Sequence, residues 1–348
     1  RTDRNGKTWT YTYDANNRLT KETDPLGGET VYTYDELGQV TKVVTPAGAE
    51  SSVQYDSMSR TTSAVDALGH GTSYEYDSLG RTAKVTYADG SAVSYTYNAN
   101  GQVLTATDQL GDVTAYAYDN AGRLVSTTDP RGGVTTQTYD AVGNLVMTTD
   151  ALGSETTYTY NANNQIAAVT DAEGGVTGYA YDANGRISTL TDAEGGKTAY
   201  TYDAKGNVTK LVDAEGTATT YTYDKLDRLT AVKDGRGNTT TYEYDAEGAL
   251  TKVTDPTGKS ASRSYDALGR LVRETDRNGN TRTYAYDADG RLTSATDPLG
   301  NTTTYTYDAA GNLLTQTAPL DRVNTYTYDE MGRRVTTTDP MGHMVTFY

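Results

Sequence analysis

A tyrosine followed by Asp or Asn returns every 21 residues along the whole chain, from Tyr13, Tyr34 and Tyr55 to Tyr307 and Tyr328, with no insertion or deletion. Fourteen of the sixteen are followed by Asp, and Asn98 and Asn161 fill the other two places. A fixed period of this size marks an array in which each unit buries its face on its neighbours. The period overrides the two or three domains that 348 residues would otherwise suggest, and residues 1–348 read as a single array of sixteen repeats. Arg1 falls in mid-repeat and Tyr348 stops one residue short of the next expected tyrosine. The expectation is therefore a fragment of a longer repeat region.

The repeat Thr302 to Arg322, TTTYTYDAAGNLLTQTAPLDR, serves as a frame. Thr303 to Tyr307 is β-branched or aromatic throughout, which predicts a strand. Asp308-Ala309-Ala310-Gly311 is a turn, Leu313 to Thr317 a second strand, and Asp297-Pro298-Leu299-Gly300 shows the second turn one repeat earlier. The unit is strand, turn, strand, turn: an antiparallel meander. Asp opening a turn can accept a hydrogen bond from the backbone two residues on. Pro next to it sets φ for a type I turn, and Gly three residues after the Asp supplies the left-handed closing position. The first turn carries Gly in twelve repeats; Asn17, Ser59, Asn164 and Asp227 replace it in the others. All seven prolines fall in one slot of the second turn, where no ladder hydrogen bond is needed.

An apolar residue follows the repeat tyrosine by six positions in most repeats, as at Leu19, Leu124, Ile187 and Leu313. A turn closed by a bulged Gly sets that residue opposite the tyrosine as a cross-strand pair. The odd period adds a constraint. Were both turns alike and the strands regular, successive repeat tyrosines would point to opposite faces. Either the two turns differ by one loop residue, or each repeat holds one bulge.

Tyrosine makes up 31 residues, Phe and Trp one each, and large aliphatics are sparse. Such a chain cannot fill a thick, dry core; a thin sheet held by ladder bonds and cross-strand pairs is expected instead. About 32 strands cannot lie in one flat sheet, because sheets twist and coil. The expected fold is all-β, a meander wound into a spiral with tyrosine on one face and Thr, Lys and Ser on the other, a hollow wall and not a packed sandwich. The net charge of −16 argues against nucleic acid and against an anionic membrane surface. No apolar run reaches the ~18 residues of a membrane span. With no cysteine, disulfides and thiolate zinc sites are excluded.

Two segments carry a family resemblance: Tyr118-Asp119-Asn120-Ala121-Gly122-Arg123-Leu124 and Tyr286-Asp287-Ala288-Asp289-Gly290-Arg291-Leu292. With Asp297-Pro298-Leu299-Gly300 they resemble the YD repeat of the Rhs (rearrangement hot spot) family, and the resemblance covers the whole chain. It implies a long β-sheet spiralling into a hollow shell, or cocoon. Such repeats occur in bacterial polymorphic Rhs toxins, wall-associated proteins, insecticidal toxin-complex subunits and animal teneurins. In the bacterial members the resemblance implies a shell enclosing a C-terminal toxin. The expected role is thus a non-catalytic wall segment whose partners are a polypeptide cargo and the rest of the shell, and which is secreted, displayed at the cell surface or injected by a bacterial secretion system. The alternative is an adhesion or carbohydrate-binding array, with sugars stacking on tyrosine rows.

Bacterial relatives also imply a self-cleaving aspartate in an Asp-Pro-x-Gly-Leu setting. Asp24-Pro25-Leu26-Gly27, Asp297-Pro298-Leu299-Gly300 and Asp339-Pro340-Met341-Gly342 resemble it, but none is followed by Leu and each occupies the ordinary second-turn slot. His70 and His343, the only histidines, share the slot after the second-turn glycine, where solvent-exposed substitution is expected. Asp171-Ala172-Glu173-Gly174-Gly175 and Asp192-Ala193-Glu194-Gly195-Gly196 faintly resemble calcium-binding repeats without their nine-residue spacing. Arg after the first-turn glycine, as at Arg81, Arg123, Arg186, Arg270 and Arg291, is expected to pair with the Asp four residues earlier, contributing ~0.2–1 kcal/mol. No catalytic set, cofactor or metal site follows from the residues.

Overall fold

The computed structural model describes residues 1–347; Tyr348, one residue short of the next repeat tyrosine, lies outside the described residues. The described residues form thirty-three β-strands and no helix. Two compact units divide the chain: Arg1–Ala92 with Tyr242–Tyr348, and Val93–Thr241. Within the stretches 1–92, 93–241 and 242–347, each strand pairs antiparallel with its neighbour in sequence.

Most repeats supply a six-residue strand ending on the repeat tyrosine, such as Val113–Tyr118, and a five-residue strand such as Leu124–Thr128; around Pro319 the strands lengthen to Leu313–Ala318 and Arg322–Tyr328. In Val134–Tyr139 the alternate residues Thr135, Gln137 and Tyr139 are half-buried, while Val134, Thr136 and Thr138 are exposed. No side chain among the described residues is fully buried. The thin sheet expected from the shortage of aliphatics is what forms.

Both turns have the same geometry. Gly122 donates its N–H to the Asp119 carbonyl at 3.0 Å and Asp119 donates to the Arg123 carbonyl at 2.9 Å; Gly132 and Asp129 repeat both bonds, to Asp129 and Gly133, at 3.0 and 2.8 Å. The closing residue is left-handed even where it is not glycine: φ is 61° at Asn17, 64° at Ser59, 58° at Asn164 and 61° at Asp227. One second turn departs. At Ala318-Pro319-Leu320-Asp321 there is neither an opening Asp nor a closing Gly, and both Leu320 and Asp321 take positive φ, 66° and 53°.

The odd period is therefore absorbed by a bulge. Tyr118 faces Leu124, but Ala117 faces Ser126, so Val125 has no partner of its own. The same shift falls at the tyrosine from Tyr13 to Tyr223 and from Tyr265 to Tyr328. Its consequence is a stagger. Ala117 faces Ser126, which on its other side faces Thr136, whereas the residue equivalent to Ala117 one period on is Thr138. Each repeat is displaced two residues, ~7 Å, along the strand direction relative to the last. A displacement of two keeps the tyrosines on one face; a displacement of one would not.

Candidate functional site: a clasp between repeats and a seam between turns

The stagger carries each repeat tyrosine past the end of the preceding strand pair. Ser126 faces Thr136 and pairing ends there, so toward the first-turn edge the two strands are not joined by a ladder. Side chains bridge this gap. Tyr139 donates its hydroxyl to the Leu124 carbonyl at 2.9 Å, at the bulge of the repeat before. Tyr118 does the same to Val103 at 3.0 Å and Tyr286 to Leu271 at 2.8 Å. A bulge interrupts its ladder, and the tyrosine hydroxyl supplies a donor where the backbone of the facing strand has none in register.

Arginine closes the clasp. Arg123 Nε donates to Asp119 Oδ2 at 2.7 Å. The guanidinium lies 4.8 Å over the Tyr139 ring, and its Nη1 donates to the Asp140 carbonyl at 3.3 Å. Arg291 repeats this: 2.6 Å to Asp287, 5.3 Å over Tyr307 and 2.9 Å to the Asp308 carbonyl. The pair expected within one turn thus also joins two repeats, and the half-buried cation–π contact adds about 0.5–1 kcal/mol to it. At two of the places where Gln replaces Arg, Gln102 and Gln165 donate to the carbonyls of Gly122 and Gly185 in the next repeat, at 2.7 and 2.9 Å, while Gln39 donates to Asp35 of its own turn at 3.0 Å.

The aspartates are occupied by their own turns. Asp119 Oδ1 accepts the N–H groups of Ala121 and Arg123, both at 2.9 Å. The Arg123 amide first, and then its guanidinium, hold the Asp119 carboxyl below the usual range. Partial burial pushes Asp287 up, but the Arg291 amide and guanidinium outweigh it and the net direction is down. Asp297 accepts from the N–H groups of Leu299 and Asn301 and from Asn301 Nδ2, at 2.8 to 2.9 Å. Pro298 occupies the turn's second position, and Gly300 closes it at φ 84°. Gly122 and Gly290 close theirs at 81° and 83°.

The Asp-Pro segments that resemble a cleavage motif are ordinary turns: Gly27 donates to the Asp24 carbonyl at 3.0 Å and Gly342 to Asp339 at 2.9 Å. His343 Nδ1 lies 2.9 Å from Asp339 Oδ2 and is exposed; His70 Nδ1 lies 3.3 Å from Asp66 and is half-buried rather than open to solvent. Both take the place that Arg or Asn takes in other turns. Asp171 and Asp192 accept the amides of Gly175 and Gly196, each at 2.7 Å, and no group of three or more potential metal-ligating side chains occurs among the described residues.

Sequence reasoning missed a second set of contacts, inside the unit formed by Arg1–Ala92 and Tyr242–Tyr348. There, turns 240 to 244 residues apart dock. Asn5 Nδ2 donates to Asp245 Oδ2 at 3.0 Å, and the Arg4 amide donates to Glu247. Thr45 Oγ1 and the Ala47 amide donate to the two carboxylate oxygens of Asp289 at 3.0 and 2.9 Å. Arg333 Nη2 donates to Asp89 Oδ2 at 3.2 Å. The offset is about eleven and a half periods, so second turns of the early repeats meet first turns of the late ones. A signal for this was present. Among second turns only Thr45, Tyr87 and Ala318 replace the opening Asp, and among first turns only Glu247 and Asp289 put an acid at the third position.

The sequence profile of the Teneurin YD-shell family matches residues 114–238 and 210–348, more than half of the chain. This chain belongs to the YD-shell family. The RHS Repeat profile matches residues 1–29, 13–50 and 55–92, so the family's repeat recurs through the early part as well. No curated protein sequence matches the chain. The YD-shell chain is similar in fold to the crystal structure of TcdB2-TccC3-Cdc42, at 18% identity and a TM-score of 0.78, over 94% of this chain and 21% of that one. It is similar to TcdB2-TccC3 without the hypervariable C-terminal region, at 16% and 0.61 over 94% and 21%. It is also similar to the Photorhabdus luminescens Tc holotoxin pore, at 15% and 0.50 over 97% and 25%. The chain spans only a fifth to a quarter of the length of these structures. No helix among the described residues is long and apolar enough to cross a membrane.

Proposed function

We propose that this chain is a non-catalytic wall segment of a YD-shell that encloses and protects a polypeptide cargo, a toxin carried C-terminal to the repeats. In this reading residues 1–348 form one continuous array wound in layers, part of a longer shell that is secreted or injected. The observation that carries it is the clasp. The repeat's Tyr hydroxyl, Asp carboxylate and Arg guanidinium are used in joining one repeat to the next, which suits a wall and leaves no recurring reactive group. The likeness in fold to TcdB2-TccC3 structures supports the same reading. A wall without a dry core on either side of it can hold an unfolded chain loosely while excluding proteases.

The test uses the full gene product. Protease is added to it and to the segment downstream of the repeats expressed alone. Survival of that segment in the full product, and its rapid loss alone, is the expected result. Equal loss in both would remove the enclosure reading. The tyrosine rows offer little to a carbohydrate, because the repeat tyrosines are half-buried and donate to neighbouring repeats. Tyrosine-dependent binding on a glycan array would favour the adhesion reading instead.

A further inference from the structure

An array of near-identical repeats has a register problem. Sliding one row of turns past another by 21 residues brings an equivalent turn to each position. Only departures from the repeat can tell the docked register from its neighbours. We infer that Thr45 and Asp289 are such a device: Asp289 supplies, from 244 residues away, the carboxylate that the Thr45 turn lacks, and so fixes which turns dock.

In an ordinary second turn the opening Asp accepts the amide two residues on. Leu26 donates to Asp24 at 2.8 Å and Leu68 to Asp66 at 2.9 Å. Thr45 has no carboxylate. Its Oγ1 accepts the Ala49 amide at 3.2 Å, which leaves the Ala47 amide without the in-turn acceptor. Asp289 Oδ1 takes that amide at 2.9 Å, and Oδ2 takes the Thr45 hydroxyl at 3.0 Å. The missing bond is made again, at the usual length, by the facing turn.

The neighbouring registers fail for a stated reason. A slip of one repeat would set Asp289 against the Asp24 or Asp66 turn, whose amide is already bonded and whose carboxylate repels it. It would also set Ala47 against Leu268 or Ala310, which offer no acid. A slip of two repeats toward the Tyr87 turn would meet Asp89. The other contacts keep the same spacing of two repeats: Arg4 and Asn5 with Glu247 and Asp245, and Asp89 with Arg333. This inference rests on the hydrogen bonds alone and does not depend on a cargo being enclosed.

The test is amide exchange on the full chain with three single substitutions and one double variant. In Asp289→Ala the Ala47 amide is expected to exchange at least tenfold faster, with Leu26 and Leu68 unchanged. Asp289→Asn keeps an acceptor oxygen and should retain most of the protection. Thr45→Asp should speed exchange across residues 45–49 when Asp289 is present, through repulsion, and should restore Ala47 protection in the Asp289→Ala background, where the turn supplies its own carboxylate. Unchanged Ala47 exchange in Asp289→Ala overturns the inference. So does equal loss of protection throughout the chain in Asp289→Ala and Asp289→Asn, or a Thr45→Asp change that is harmless beside Asp289.

Discussion

At the residue scale the repeat is a set of donors and acceptors matched to one backbone shape. Gly122 sits at φ 81°, and Asn occupies the equivalent slot at Asn17 and Asn164 with φ near 60°. Gly122→Ala is therefore expected to cost about 1–2 kcal/mol, while Gly122→Asn costs a few tenths; equal losses in a denaturant series on the two variants would show that the left-handed slot is not what the glycine serves. Tyr139→Phe keeps the ring under Arg123 and deletes the bond to Leu124. A loss of about 1 kcal/mol is expected, seen as faster amide exchange confined to the two repeats that meet there, since long arrays lose two-state behaviour. The turn aspartates set the acid limit. Asp119, Asp182 and Asp224 lie below their ordinary range, held there first by the backbone amide of Arg123, the guanidinium of Arg186 and the backbone amide of Arg228 respectively. A carboxylate lowered in the fold stabilises it above its unfolded pKa, about 3.9, and loses that contribution as pH falls through the folded value. Thermal midpoints should stay level from neutral pH to about 5 and fall below about 4. A midpoint that fell between pH 7 and 5 instead would assign the acid sensitivity to other groups.

At the scale of the strand and turn, the alternation of Thr and Tyr, the Asp-x-x-Gly turns and the tyrosine–aliphatic pairing were all legible from residue types and spacing, because each is local. Tyr118 faces Leu124 as the turn length requires. Parity also limited the choice to unequal turns or one bulge. It could not choose, because either solution restores the tyrosine face; the register shift at Val125 decides for the bulge. The clasp was half legible. Arg123 and Asp119 are four apart on one turn, but the Tyr139 contact depends on the two-residue stagger between repeats. Deleting Val125 alone should remove the bulge and leave a regular repeat of even length, so that later tyrosines stay on their own face. A native elution profile is expected on size-exclusion chromatography, whereas aggregation or loss of folded protein would mean that the bulge does more than set parity.

At the scale of the molecule, an unclosed meander has edges. The last described strand, Met344–Thr346, pairs with Arg334–Thr338 and with no other strand among the described residues, and Met344 and Val345 are 63% and 56% exposed. In residues 1–348 taken alone, such an edge promotes association through its free backbone groups. In that segment Val345→Lys should reduce concentration-dependent association in sedimentation velocity; an unchanged profile would place the sticking surface elsewhere. The all-β meander, its two turns, their closing residues and the thinness of the sheet follow from the chain read alone, because a 21-residue period repeats one local solution and local solutions are set by neighbouring residues. The docking of turns 240 to 244 residues apart does not follow from any period. Every repeat offers nearly the same edge, so the period cannot say which turns meet; the tertiary structure brings two rows of turns together, and single departures such as Thr45 and Asp289 fix their register.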